Sequence, residues 1–126
     1  MPGHLQRLCS PPLLSPEQEV RLFRRMNYLK YRANVLRSQI RAADADPRQL
    51  DRVDSLIRTG EEVRNQIVHA NVRLVMSIAK KFADNRSSFD DLLSEGISSL
   101  IRAVEKFDYS RGFRFSTYAT SVVRRD

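Results

Sequence analysis

Tryptophan is absent from this 126-residue sequence, cysteine occurs once, histidine twice, glycine four times and proline five times. Each scarcity excludes something. A lone cysteine, Cys9, cannot close an internal disulfide, so the expected setting is a reducing cytoplasm and the expected role is that of a small apolar side chain. His4 and His69 offer no metal-ligand spacing, and no glycine-rich loop is present to cradle phosphates. No serine or cysteine stands beside a plausible base, and Asp90 and Asp91 open a helix, where carboxylates complement the macrodipole. The sequence therefore predicts no enzyme and no metal or nucleotide cofactor. No apolar run approaches the ~18 residues of a membrane span, and the N-terminus lacks a signal-peptide core, so no membrane partner is expected.

What is abundant is charge, and its placement matters more than its total of +7. Residues 1–42 carry a net +6, 43–62 a net −3, 63–83 a net +4, 84–108 a net −3 and 109–126 a net +3. Alternating blocks of opposite sign suggest two partner surfaces.

The scarcity of glycine and proline and the dominance of aliphatics predict an all-α chain, a bundle of about five helices. Ser15, Pro16 and Gln18 form a capping box for a first helix, whose apolar positions Val20, Phe23, Tyr28, Tyr31, Val35 and Ile40 carry it to about Ala42. Asp46 and Pro47 open a short second helix through Ile57. Thr59 and Glu62 form another capping box for a third helix, with Val63, Ile67, Leu74, Ile78 and Phe82 on one stripe and Val68, Val72, Val75 and Ala79 widening it into a helix covered on most sides. Ser88 with Asp91 caps a fourth helix to about Phe107. Gly112 supplies positive φ in the turn "DYSRG", and Ser116 caps a last helix.

Two faces carry the functional signal. On the fourth helix Leu92, Leu93, Leu100, Val104 and Phe107 can face the core. Asp91, Glu95, Ser98 and Arg102 then share another face, with Ile97 and Ile101 on its flank. That face is either plainly solvated or a docking ridge for a basic partner helix, and Gly96 on it suggests close approach of another backbone. In the closing stretch Tyr109, Phe113, Phe115 and Tyr118 interleave with Arg111, Arg114, Arg124 and Arg125. Phe115 is the first choice for the core. The remaining rings and cations suit single-stranded nucleic acid, although a basic helix end gives the same pattern.

The run "ANVRLVMSIAKKF…FDDLLSEGISSLIRAVEKFDYSRGFRFSTYAT" resembles region 2 of the bacterial sigma-70 family of RNA polymerase promoter-specificity factors. "LLSPEQEVRLFRRMNYLK" is similar to the region just upstream in primary-type members, whereas residues 42–59 find no counterpart. The resemblance implies a tail over 1–14, an upstream helix over 15–42, a linker and short helix over 43–59, and a region 2 core over 60–126. It implies docking of the fourth helix on a coiled coil in the largest subunit of core RNA polymerase. Asp91, Glu95 and Ile101 match that contact, with Ser94, Ile97 and Ser98 beside them. It implies further that residues 109–120 hold the non-template strand of the promoter −10 element. Tyr118 would stack on a flipped adenine, with Phe113, Arg114 and Thr117 around it and Arg111 close by. Asn71, with Arg24 and Arg25, would lie near the downstream part of that strand.

The chain departs from the family after "STYAT". Ser121 and Val122 stand where the family has a tryptophan pair, and Arg124 and Arg125 end the run, the latter where a glutamine reads duplex DNA. These departures imply altered promoter preference or weak melting, and keep open a polymerase-binding decoy; a generic basic helical DNA binder is the third reading. The family's later domains are missing, so the sequence is expected to be a fragment of a longer protein. An anti-sigma partner is left open.

Overall fold

The computed structural model describes residues 13–125; Cys9 and His4 lie outside the described residues. Five α-helices follow one another: α1 (Pro16–Ser38), α2 (Pro47–Ala70), α3 (Val72–Phe82), α4 (Phe89–Lys106) and α5 (Phe115–Arg125). Single 3₁₀ turns at Ala42–Asp44 and Tyr109–Arg111 complete the described structure, which contains no strand. The expected all-α bundle is what forms.

Helix starts written into short motifs appear where the sequence places them. Ser15 Oγ accepts from the Gln18 N–H at 3.2 Å while Gln18 Oε1 accepts from the Ser15 N–H at 2.9 Å, a complete capping box. Asp46 accepts from the Arg48 N–H at 3.0 Å, and Ser88 from the Asp91 N–H at 3.1 Å. Gly112 takes φ of 83°, the left-handed conformation its turn requires.

Other expectations need correction. Thr59 and Glu62 do not cap a helix, because α2 runs unbroken from Pro47 to Ala70. The Thr59 hydroxyl instead donates back to the Ser55 carbonyl at 2.9 Å. Gly60 sits in the middle of α2, where a Cβ would lie 3.7 Å from Leu29 Cβ of α1. α1 and α2 pack as a long antiparallel hairpin, and that burial outweighs the ~1 kcal/mol that a mid-helix glycine costs. The break falls instead at Asn71, with φ −112° and ψ 7°. Its carboxamide donates to the Ile67 carbonyl at 2.8 Å, satisfying one of the carbonyls that a helix end orphans.

The break at Asn71 rotates everything beyond it. Val72, Val75, Met76 and Ala79 turn inward, and Phe82, expected on the core stripe, is 48% exposed. On α1, Phe23, Met26 and Ala33 are buried, whereas Tyr28 and Tyr31, also expected inside, are 56% and 64% exposed. The helix stops at Ser38, short of Ala42.

The centre of the bundle is filled by Phe23, Ile67, Val75, Leu100, Val104 and Phe115, each essentially without solvent contact. Full burial of one such side chain contributes about 1.5–3 kcal/mol. Gly96 lies inside this packing. A Cβ there would meet Val75 Cγ1 at 2.5 Å, so the glycine allows α3 and α4 of the same chain to approach. The expected approach by a partner's backbone is therefore corrected.

Candidate nucleic-acid cleft and docking ridge

Three phenylalanines from three parts of the chain meet beneath the closing segment. Phe23 of α1 lies 5.0 Å from Phe107 and 5.3 Å from Phe115, centroid to centroid, and Phe107 and Phe115 are 5.2 Å apart, edge to face. Offset and tilted arrangements of this kind are the favoured ones for aromatic pairs. On this base the Tyr118 ring stacks against Phe107, at 5.5 Å and 21° between planes. The tyrosine is therefore held from below by side chains that are themselves fixed.

Tyr118 is half-buried and lines an open cleft of about 480 Å³. Its other lining residues are Lys106, Phe107, Asp108, Arg111, Phe113, Thr117 and Ser121. Phe113 at its edge is 68% exposed, an unusual cost for an aromatic ring unless something covers it. The four expected residues Arg111, Phe113, Thr117 and Tyr118 are thus brought together. Phe107, read from sequence as core alone, doubles as the platform, and Lys106, Asp108 and Ser121 join the lining.

The turn that shapes the cleft is self-contained. Asp108 accepts from the Ser110 hydroxyl at 2.6 Å and from the Ser110 N–H at 3.0 Å, and pairs with Arg111 at 3.6 Å. Its carboxyl is held below the ordinary carboxylate range, chiefly by the Ser110 hydroxyl, then by the Ser110 N–H, with desolvation opposing them and Arg111 adding to them. Two cations and one acid line the cleft, so it favours an anionic occupant.

Arg114 behaves differently from the other arginines. Its Nε donates to Glu19 Oε2 at 3.3 Å and its Nη2 to the Leu14 carbonyl at 3.1 Å. The same Glu19 oxygen accepts from the Phe115 N–H at 3.2 Å. α5 begins at Phe115, so its start is capped by a carboxylate from α1 and not, as expected, by Ser116. Glu19 went unremarked in the sequence. The signal was there: it falls on the same face of α1 as Phe23, Met26 and Ala33, where a carboxylate must have a partner.

The remaining expected contacts are dispersed. Arg124 stacks over the Phe82 ring at 5.7 Å, and Arg125 donates to Ser121 Oγ at 3.3 Å. Asn71 spends its carboxamide N–H on the α2 end, as described above, and Arg24 and Arg25 stand exposed on α1.

On α4 the outward residues are Asp91, Ser94, Glu95, Ser98 and Arg102, all exposed, with Ile97 and Ile101 half-buried on the flank. Ser98 donates to the Ser94 carbonyl at 3.3 Å, and Arg102 to the Ser99 hydroxyl at 3.1 Å. Glu95 also borders a groove floored by Val75, Ala79, Gly96 and Val123. Exposed carboxylates thus lie beside part-covered isoleucines on this face of α4. Among the described residues, no group of three histidines, cysteines or carboxylates is placed to hold a metal, and no helix is long and apolar enough to cross a membrane.

Comparison with known proteins gives a consistent result. A family profile described as Sigma-70 region 2 matches residues 67–126. The RNA polymerase principal sigma factor HrdC of Streptomyces coelicolor (strain ATCC BAA-471 / A3(2) / M145) is 39% identical over 128 residues. The RNA polymerase principal sigma factor HrdD of Streptomyces griseus is 33% identical over 122 residues. Each match takes in 97% of this chain, including the stretch 42–59 for which the motifs gave no counterpart, and 36% of the relative. The chain thus spans about a third of the length of these curated relatives.

Proposed function

Since the chain belongs to the sigma-70 family, with region 2 over residues 67–126, we propose that it binds core RNA polymerase and recognises promoter DNA in transcription initiation. In this reading the protein is not an enzyme. It supplies binding energy and position, and the polymerase supplies the chemistry.

The observation that carries the proposal is the Tyr118 ring stacked on Phe107 at the floor of a cationic cleft. A base that leaves a duplex loses a few kcal/mol of stacking and pairing. Stacking on a protein ring returns about 1–3 kcal/mol per base. The return is largest when the ring needs no ordering on binding, and the three phenylalanines beneath Tyr118 provide that. Phe113 and Thr117 flank the base, and Lys106 and Arg111 face the strand's phosphates. The strand is the −10 non-template strand, read as it separates. Val122, half-buried against the core, and Ser121, in the cleft lining, leave a smaller upstream edge than a tryptophan pair would.

The ridge of α4 binds the polymerase. Asp91 and Glu95 meet a basic helix of the largest subunit's coiled coil, while Ile97 and Ile101 provide the apolar anchors and Ser94 and Ser98 the rim.

Fluorescence anisotropy of a labelled −10 non-template oligonucleotide tests both halves. The chain premixed with core polymerase should retain it over a scrambled oligonucleotide, and Glu95→Lys should remove retention by removing docking. If the chain docks yet the two oligonucleotides are not told apart, promoter recognition is lost from the account and a polymerase-binding decoy takes its place.

A further inference from the structure

α1 and α2 pack side by side, yet along their hairpin they leave a cavity of about 290 Å³ between them. Its floor is apolar. Met26 and Ala33 of α1, both buried, line it together with Leu56, Ile57 and Gly60 of α2. Gly60 is the residue to explain, because glycine in a helix interior is the weakest helix former after proline. Close packing does not require it: an added Cβ would meet only Leu29 Cβ, at 3.7 Å, an ordinary contact. What the glycine does is keep the cavity open, since a larger side chain there would take up part of the space it lines.

The rim has a sign. Lys30 and Arg37 stand exposed on α1, about two turns apart on one face. Arg37 donates to Asn34, and neither cation has a carboxylate partner among the described residues. Across the opening Arg64 and Glu105 neutralise each other at 3.2 Å, and Glu61 is the remaining carboxylate. Three cations against two carboxylates leave the rim at +1, with both unpaired cations on the α1 side. No aromatic ring lines the cavity, so it offers a nucleic-acid base nothing to stack on. An apolar floor with a few polar groups at its mouth is the usual form of a small-molecule site, and this one is at the small end of the usual sizes.

We infer that the cavity between α1 and α2 is a binding site for a small amphipathic anion. An apolar body rests on Met26, Ala33, Leu56 and Ile57, and a single anionic head group meets Lys30 and Arg37. The site shares no residue with the Tyr118 cleft or the α4 ridge, so it stands or falls independently of them.

The experiment titrates the chain with anilinonaphthalene sulfonate, an aromatic body carrying one anionic group, and follows its fluorescence. Binding should saturate at one probe per chain. Octanoate should displace the probe, whereas octylamine, with the same alkyl chain and the opposite charge, should not. Lys30→Gln with Arg37→Gln should weaken binding by about tenfold, the loss of two exposed ion pairs. Gly60→Ala should weaken it and Gly60→Leu abolish it, without lowering the melting temperature. A site lost from a chain that melts no earlier has been filled and not unfolded. Amide resonances of Ala33, Leu56 and Gly60 should shift on addition of octanoate, which locates the site without any substitution.

Absence of saturable binding to the unsubstituted chain would overturn the inference and leave the cavity to a protein side chain. So would equal displacement by octylamine, or binding that survives in a folded Gly60→Leu variant. Octanoate-induced shifts confined to other parts of the bundle would overturn it as well, whether or not Gly60→Leu folds.

Discussion

Glu19 and Phe115 are ninety-six residues apart in sequence, and a buried carboxylate oxygen of the first accepts the backbone N–H of the second at 3.2 Å. The bond fixes the start of α5, and so the position of Tyr118, to the first turn of α1. Arg114, donating to the same oxygen, neutralises the buried charge.

Glu19→Ala should cost roughly 2–3 kcal/mol, because it leaves a buried N–H without a partner and frees the Arg114 guanidinium. Glu19→Gln keeps an acceptor and should cost about half as much. Urea unfolding gives both values, and amide exchange at Phe115 should accelerate in the alanine variant alone. Equal stability of the two variants would mean that an acceptor at this position contributes nothing to the fold.

The two helical glycines should respond in opposite directions. Gly60→Ala meets only an ordinary contact with Leu29 and should stabilise α2 by up to about 1 kcal/mol. Gly96→Ala gains the same propensity, but its Cβ collides with Val75 at 2.5 Å, and overpacking of this kind costs roughly 1–3 kcal/mol. Adding Val75→Ala should recover part of the Gly96→Ala loss in a double-mutant cycle. Additive effects would contradict the collision.

Asp108 sets the acid limit of the cleft's turn. Its carboxyl titrates below the ordinary range, so its stabilising contacts are fully present above the unfolded-state value and disappear as pH falls through the lower folded-state value. That window lies below about pH 4, the usual aspartate value. Carboxyl NMR titration should place its midpoint there, and Ser110→Ala should move it back toward the ordinary range. An unchanged midpoint in Ser110→Ala would remove the hydroxyl as the cause.

What was legible in the sequence was local. Ser15, Asp46 and Ser88 could be read as caps because each acts within three residues, and Gly112 because its turn needs a left-handed residue. The all-α fold follows from short-range pattern as well, whereas the grouping of Phe113, Thr117 and Tyr118, with Arg111 close by, was legible only through the family resemblance. Failures occurred where distant packing decides. Nothing within a few residues of Gly60 reveals that Leu29 packs there and carries α2 through, and nothing near Asn71 announces that the helix turns at that point. Once the break was misplaced, the phase of Phe82 was wrong with it. Tyr28 and Tyr31 satisfied an apolar spacing that Met26 and Ala33 in fact fill, since a tyrosine suits either environment.

The central claim is that the Tyr118 ring receives an unstacked base. A fluorescent adenine analogue, moved one position at a time through the −10 non-template strand, reports this directly when the chain and core polymerase are both present. The account predicts quenching at one position, retained in Tyr118→Phe, where the ring still stacks on Phe107, and lost in Tyr118→Ala. Uniform fluorescence along the strand, or quenching that survives Tyr118→Ala, would contradict it.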